Sequence, residues 1–243
     1  MAGHGRILAF AWMCVIAAAA CAGEPPPSIP SHAYGEPLDP GAKPDPATCQ
    51  QLIRSNVAGA MRIRASLTAP GIAADEGTVR AVAGDPASTT ERIGVPLSAP
   101  ELAALKASAI AIDPWSPISF WVDTGAPERF GGLWLDGGTY VAVVDGDGES
   151  LALARCVEPK TADMHYVWAT ISGAAGQAVQ TRIGNDMAGW KARGVQINMT
   201  YYDVKTGTVH VGVSAPNPEL EAAFRDAYGP IVRLEKAGPL VLD

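Results

Sequence analysis

The chain has 243 residues, of which 48% are hydrophobic, and a formal net charge of −7 from 18 Lys and Arg against 25 Asp and Glu residues. This length and composition predict one or two globular domains with a buried core. The acidic charge is spread along the chain without a cluster of Lys or Arg, which argues against nucleic acid and anionic lipid as partners.

Residues 1–22 have the pattern of a secretory signal peptide. Arg6 supplies a positive charge, an apolar run follows at 7–20, and small residues come next. A membrane-spanning helix needs about 20 apolar residues, and the run at 7–20 is shorter than that. We therefore expect the segment to be a signal peptide that is cleaved when the chain is exported.

The cleavage position decides whether the exported chain is anchored. Residues 18–21, Ala-Ala-Ala-Cys, resemble a bacterial lipobox, although that pattern prefers Leu where this chain has Ala18. Cys21 is then the lipidated first residue of the mature protein. The alternative is ordinary cleavage after Ala20 or Ala22, which releases the chain to the exterior. The membrane is therefore expected as a partner only through the N-terminal lipid anchor of the first form.

Residues 23–47 are rich in Pro, Gly, Ser and Ala. Such a composition buries too little apolar surface to offset its ordering entropy, and successive prolines favour extended polyproline II. The segment is therefore predicted to be a disordered linker between the signal peptide and the folded part.

Cys49 and Cys156 are the two cysteines beyond the linker. An oxidising exterior allows them to form a disulfide. The alternative is two separate buried thiols, because a disulfide needs Cα atoms within about 7 Å of each other.

Residues 48–129 are predicted to be mostly helical. Apolar residues recur with helical spacing at 49–66, whereas 70–88 contains only a short strand pattern at 79–83. Ser98 and Glu101 have the spacing of a capping box and predict a second helix start.

That second helix is expected to stop before Asp113, because the residue preceding a proline is disfavoured in helices. Residues 115–123 are predicted to be an apolar linker into the strands that follow.

Residues 130–243 are predicted to contain strands and helices in alternation. At 130–144 two strands are joined by a turn that contains Gly137 and Gly138. The elements expected after this hairpin are a short helix at 150–156, a strand at 165–171, a long helix at 172–193 ended by Gly194, strands at 195–202 and 208–213, a helix that starts at Asn217 and Pro218 and stops at Gly229, and a strand at 231–235.

The order of these elements repeats. A hairpin, a short helix and a strand occur at 132–171 and again at 196–235, and the alignment of the two hairpins places Tyr140, Ala142 and Val144 on Val209, Val211 and Val213. The alternative is a chance similarity of two hairpins. We expect an α+β fold of two related hairpin–helix–strand units joined by a long helix and preceded by a helical N-terminal part.

Three stretches resemble a known family. They are Gly-Val-Pro-Leu-Ser at 94–98 followed by Glu101, Phe-Gly-Gly-Leu-Trp-Leu-Asp at 130–136, and residues 203–213 with 219–229 behind them. They look like the pro-region of the α-lytic protease and streptogrisin group of secreted serine proteases. They look still more like lone copies of that domain in secreted or membrane-attached proteins of high-GC bacteria. The resemblance covers residues 91–236.

The resemblance implies small β-sheets packed with helices and a role as folding chaperone and tight inhibitor of a protease. In that family the C-terminal sheet pairs with the protease and the tail lies in its active site. This chain has no protease domain after Lys236, so such a role is expected in trans. Pro239 argues against a fully extended tail in a cleft.

Motifs for catalysis are missing from the sequence. Neither Gly-x-Ser-x-Gly nor Gly-Asp-Ser-Gly-Gly occurs, and only His165 and His210 lie beyond the linker. His210 alternates with valines and is expected to be an ordinary strand residue. We therefore expect no enzyme and no cofactor.

Two further patterns each have two interpretations. Asp145, Asp147 and Glu149 resemble a calcium loop, but the chain lacks the Gly and Glu at the EF-hand positions and the stretch also fits a plain strand-to-helix turn. The Trp side chains at 115, 121, 134 and 168 could line a ligand or peptide groove, or belong to the core. We expect no metal site.

The sequence thus favours a non-catalytic envelope protein that binds a protein partner, with a secreted serine protease as the expected partner. A structural or small-ligand-binding envelope lipoprotein is the alternative.

Overall fold

The computed structural model describes residues 32–67, 69, 71–90, 92–108, 110–144, 148–160 and 162–238. Over these ranges the fold is α+β, as predicted from the sequence. The helices are α1 Pro46–Ser55, α2 Val57–Ser66, α3 Glu76–Gly84, α4 Ala99–Ala107, α5 Ser116–Phe120 with a π-helical turn at Trp121–Gly125, α6 Gly148–Val157, α7 Gly173–Asn185, α8 Met187–Ala192 and α9 Pro218–Tyr228. The strands are β1 Phe130–Leu135, β2 Thr139–Val144, β3 Met164–Ala169, β4 Ile197–Asp203, β5 Thr208–Val213 and β6 Val232–Lys236.

Two predictions for the N-terminal part are wrong. Residues 79–83, predicted as a strand, belong to α3, and residues 115–123, predicted as a linker, form α5 and most of the π-helical turn. Short apolar runs fit both a strand and a buried helix turn, and the choice between them is made by the rest of the fold. The helix predicted at 49–66 is divided into α1 and α2 at Asn56, whose side chain caps α2 by accepting from the Gly59 N–H at 3.0 Å.

The predicted capping box at the start of α4 is present and is tied to a buried ion pair. Glu101 accepts the Ser98 N–H at 2.9 Å through one carboxylate oxygen and binds the Arg64 guanidinium through the other. Arg64 also donates to the carbonyl oxygens of Ala73 at 2.6 Å and Pro96 at 2.8 Å. Arg64 and Glu101 are both buried, and these bonds compensate the cost of removing their charges from water.

Trp121 fills the centre of the N-terminal core and is fully buried. Its indole N–H donates to the Gly94 carbonyl oxygen at 2.9 Å. The ring lies so close to Gly59 and Gly125 that a Cβ atom at either position would overlap it. Glycine at these sites is therefore required by the close approach of the indole.

Two three-stranded sheets follow, with the same order and orientation. In the first sheet, β1 pairs antiparallel with β2, and β2 pairs parallel with β3; in the second, β4, β5 and β6 are related in the same way. Helix α6 connects β2 to β3, and α9 connects β5 to β6. The long helix predicted between the two units is divided into α7 and α8 at Asp186.

Both hairpins contain a register shift at the same place. In β1 it lies between Phe130 and Gly132, and beyond it Phe130 pairs with Val143. In β4 it lies between Ile197 and Met199, and Ile197 pairs with Val213. Val143 therefore corresponds to Val213, and both are buried.

This correspondence moves the predicted alignment of the hairpins by one residue. Val141, not Ala142, corresponds to Val211, and Tyr140 corresponds to His210. A one-residue slip exchanges the two faces of a strand. The two strands do not begin at equivalent positions, because β5 has one more paired residue at its start, Thr208, than β2 has. An alignment made from the turns is therefore shifted by one residue.

Residues 32–38 lie against β3, and we call them the strap. The Gly35 N–H donates to the Trp168 carbonyl at 2.8 Å, the Trp168 N–H to the Glu36 carbonyl at 2.8 Å, and the Leu38 N–H to the Tyr166 carbonyl at 2.9 Å. The pairing is antiparallel. The disordered linker predicted at 23–47 therefore includes a segment paired with β3 and, at 46–47, the start of α1. Its proline content hides the paired backbone and the two apolar side chains, Tyr34 and Leu38. The remaining linker residues lie outside the described ranges.

Tyr34 of the strap lies between the two hairpins. Its hydroxyl donates to the Val204 carbonyl at 2.6 Å, and its ring packs on Gly207, both in the β4–β5 turn. Burial raises the pKa of the Tyr34 phenol. Tyr202 makes a second link, donating to the Gly131 carbonyl at 3.2 Å, so that phenol groups join the two units.

We expect the Gly59→Ala substitution to lower the free energy of unfolding by about 1–3 kcal/mol, since the added methyl group overpacks against Trp121. Gly189→Ala in α8 is the matched control, because nothing lies within 4 Å of a Cβ atom there, and it should raise stability by about 0.5–1 kcal/mol. Urea unfolding followed by Trp fluorescence measures both. Equal effects of the two substitutions would contradict the packing described for Trp121.

Candidate functional site

Strand β6 has a free edge. The Val209 N–H donates to the Ile231 carbonyl at 2.9 Å, and the Ala237 N–H donates to the Val213 carbonyl at 2.9 Å. The N–H and C=O groups of successive residues in a strand point to opposite sides. Residues 233 and 235 therefore direct their N–H and C=O groups to β5, as 231 and 237 do. Leu234 and Lys236 direct theirs to the open side. No strand among the described residues pairs with that side.

The same edge is covered in the first sheet. Val143 pairs with Trp168 and Val213 pairs with Lys236, so Trp168 of β3 corresponds to Lys236 of β6. The outward backbone groups of Trp168 are bonded to the strap. The two units therefore differ in that β3 has an added strand and β6 has none within the described ranges.

Polar and aromatic side chains line the face of the second sheet opposite its core, and they come from β4, β5 and β6. His210 Nδ1 is 3.1 Å from Glu235 Oε2, and His210 Nε2 is 4.0 Å from Asp203 Oδ2. The Tyr201 ring stacks on His210 with centroids 4.9 Å apart and is 39% exposed. Met199 is 40% exposed. Tyr and Met are residue types that are enriched in protein interfaces, whereas Glu and Asp are depleted there.

The first sheet carries a similar row, in which Trp134 and Tyr140 correspond to Tyr201 and His210. Trp134 stacks on Tyr140 at 5.4 Å, and Tyr140 stacks on His165 at 4.7 Å. His165 lies 3.4 Å from Asp163. Within the described ranges neither histidine is bonded to a Ser or Cys side chain, so the geometry of a histidine-activated nucleophile is not found there.

Cys49 and Cys156 form a disulfide that joins α1 to α6, with Cα atoms 5.2 Å apart. The predicted pairing is therefore confirmed, and the alternative of two separate thiols is wrong. Cys21 lies outside the described residues.

The acidic stretch before α6 gains no support as a calcium site. Asp145 and Asp147 lie outside the described residues, and Glu149 lies 3.6 Å from Arg129. Across the described part of the chain, no group of His, Cys, Asp and Glu side chains has the arrangement of a metal site.

The four tryptophans considered as a groove do not converge. Trp121 is buried in the N-terminal core, whereas Trp134 lies on the outer face of the first sheet. Trp168 stacks on His32 of the strap at 4.3 Å, and Trp115 packs at the border of the N-terminal core.

An open cleft of about 680 Å³ runs between α1 and α3. Arg54 lines it, but its guanidinium is engaged with carbonyl oxygens, including those of Asp85 at 2.9 Å and Ser88 at 3.2 Å. These bonds give Arg54 a structural role in holding the loop after α3.

Sequence patterns predicted His210 as a strand residue but missed its partners. Glu235 and Tyr201 come from the two strands on either side of β5, and they meet His210 only through the register. The sequence does indicate that each of the three lies on the solvent-facing side of its strand, where side chains of neighbouring strands contact each other.

None of the described helices has the length and apolar character needed to cross a membrane. Comparison of the chain with protein-family models, curated proteins and solved structures found no match.

We expect Cys49→Ser/Cys156→Ser to lower the free energy of unfolding by about 4.7 kcal/mol in the chain-entropy model, in which a long closed loop restricts the unfolded chain most. The two cysteines are 107 positions apart. Urea unfolding of the oxidised chain, the reduced chain and the double variant measures the effect. The reduced chain should match the variant, and an unchanged midpoint in both would refute a stabilising disulfide.

Proposed function

We propose that this chain is a non-catalytic, exported protein that binds another protein through the second sheet. The observation that carries the proposal is the free edge of β6, where Leu234 and Lys236 direct backbone groups outward. An extended segment of a partner can add a strand to such an edge, with affinity from backbone hydrogen bonds and specificity from neighbouring side chains.

The outer face of the second sheet, which Glu235 extends to β6, supports recognition. Tyr201, His210 and Glu235 lie on one face of the sheet and are partly exposed. Aromatic side chains are enriched in protein interfaces because they combine a large apolar area with few rotatable bonds. A partner strand on β6 would bring its own side chains next to Glu235.

The resemblance to protease pro-regions suggests the partner. A secreted serine protease is the proposed partner, and the chain would act on it in trans as an inhibitor or folding chaperone. The motif residues at 94–98 have structural roles in this chain: the Gly94 carbonyl accepts the Trp121 indole N–H, and the Pro96 carbonyl accepts from Arg64. The proposed protease role is therefore supported by the sequence resemblance and not by these contacts.

A protease expressed without its own pro-region provides the test. We expect equimolar chain to raise the recovered activity of acid-denatured α-lytic protease on dilution, or to inhibit the native enzyme. Leu234→Pro should reduce either effect, because proline removes an N–H group that faces the open edge and is not used to bind β5.

Leu135→Ser is the matched control, since Leu135 is 70% exposed and lies in the first sheet. It should leave refolding and inhibition unchanged. If neither refolding nor activity of α-lytic protease and streptogrisin responds to the wild-type chain, the protease proposal is refuted.

We also propose that Cys21 carries a lipid that holds the exported chain at the membrane. The supporting observation is the lipobox-like sequence at 18–21. Cys21→Ser should move the protein from the membrane fraction to the soluble fraction, measured by ultracentrifugation and immunoblotting. Cys14→Ser is the matched control and should change nothing. Membrane retention of the Cys21→Ser chain would refute acylation at that residue.

A further inference from the structure

The sequence of β6 is complementary to itself when reversed. The strand reads Val-Arg-Leu-Glu-Lys, with Leu234 at its centre. Arg233 and Glu235 lie one position to either side and share the sheet face opposite the core. Two copies of this strand placed antiparallel about Leu234 would oppose each Arg233 to a Glu235.

We propose that the free edge of β6 pairs with β6 of a second copy of this chain. The pairing is antiparallel, with a two-fold axis at Leu234, and joins the two second sheets into one continuous sheet. Contacts of this kind are isologous, because each copy contributes the same surface.

The backbone groups on the open side have the positions that this pairing requires. Leu234 directs its N–H and C=O outward, so it exchanges two hydrogen bonds with Leu234 of the second copy. The Lys236 N–H then faces the Val232 carbonyl of the second copy, which also accepts from its own Arg233 Nη1 at 3.0 Å and uses its second lone pair for this bond. The symmetric bond forms as well. Four backbone hydrogen bonds result.

The side chains of the opposed pairs are compatible in charge. Arg233 and Glu235 of the second copy form a pair without backbone hydrogen bonds, in which Cα atoms are only about 4.5 Å apart and side chains meet closely. Glu235 binds His210 through Oε2, which leaves Oε1 for the second copy. Arg233 uses Nη1 for the carbonyls of Pro230 and Val232, which leaves Nη2 and Nε.

The first unit shows that the corresponding edge of its sheet accepts an added antiparallel strand. The strap lies on β3 in antiparallel orientation, and α1, which follows it, packs against α6 closely enough for the Cys49–Cys156 disulfide. Helix α9 occupies the place in the second unit that α6 occupies in the first. A second copy would supply β6 in place of the strap, and its α9 would reach that strand from the other chain direction, since α9 precedes β6 whereas α1 follows the strap.

The pairing surface is short, so the dimer should be weak and dependent on concentration. A dimer of this kind covers the edge proposed to receive a protein partner. Self-association is measured on the purified chain alone, so it succeeds or fails independently of any protease.

Sedimentation velocity over a range of concentrations provides the test, with Cys21→Ser in every sample so that an acyl chain cannot drive association. We expect the chain to sediment as a monomer–dimer equilibrium. Arg233→Glu and Glu235→Arg, each alone, should raise the dimer dissociation constant by about tenfold or more, because both cross-strand pairs become repulsive.

A mixture of the two single variants provides the decisive measurement. In the mixed dimer every Glu opposes an Arg, so the mixture should associate with a dissociation constant within about threefold of wild type. The double variant Arg233→Glu/Glu235→Arg should also recover association. Circular dichroism checks that each variant is folded, and the mixture separates a charge effect from a folding defect, since neither chain regains its original side chain.

A monomer at all concentrations would overturn the proposal, as would single variants that associate like wild type or a mixture that stays monomeric. Deletion of residues 239–243 should leave association unchanged. A large gain on that deletion would show that the tail occupies the edge, and this too would overturn the proposal.

Discussion

The outward N–H and C=O groups of the last strand in each sheet need hydrogen-bond partners, and this requirement shapes the architecture. A hairpin followed by a helix and a parallel strand satisfies the backbone of the middle strand on both sides, but leaves the outer groups of the first and last strands without strand partners. The chain meets this requirement in the first unit with the strap, whose Tyr34 also binds the second hairpin. In the second unit no strand within the described residues pairs with the outer side of β6. The proposed protein partner and the proposed dimer both follow from this difference between two similar sheets.

The N-terminal helical part depends on two buried side chains that the sequence places far from their partners. Arg64 donates to the Pro96 carbonyl in the loop before α4 and to Glu101 in α4. Trp121 donates to the Gly94 carbonyl in the same loop. One short motif thus receives hydrogen bonds from two separate helical segments. In this motif, residues 94–98, the backbone carbonyls accept the hydrogen bonds and the apolar side chains fill the core.

Much of the fold was predictable from local signals. Alternating apolar residues located both hairpins, and Asn217 with Pro218 located the start of α9. Signals failed where a neighbour distant in sequence decides the structure, as in α3, α5 and the strap. The disulfide could be proposed from the two cysteines but not established, since a Cα separation is a property of the fold. The free edge and the surroundings of His210 required strand order and register, and a one-residue error in register exchanges the faces of a strand.

The strap also determines how the fold would respond to mechanical load. A pull applied at the N-terminal side of residue 32 reaches first the hydrogen bonds between the strap and β3, which lie across the direction of pulling and would have to break together. Tyr34 resists the same displacement because its hydroxyl is bonded to the β4–β5 turn. Load that passed these bonds would meet the Cys49–Cys156 crosslink, which would carry the tension directly from residue 49 to residue 156 and keep the chain between them out of the load path.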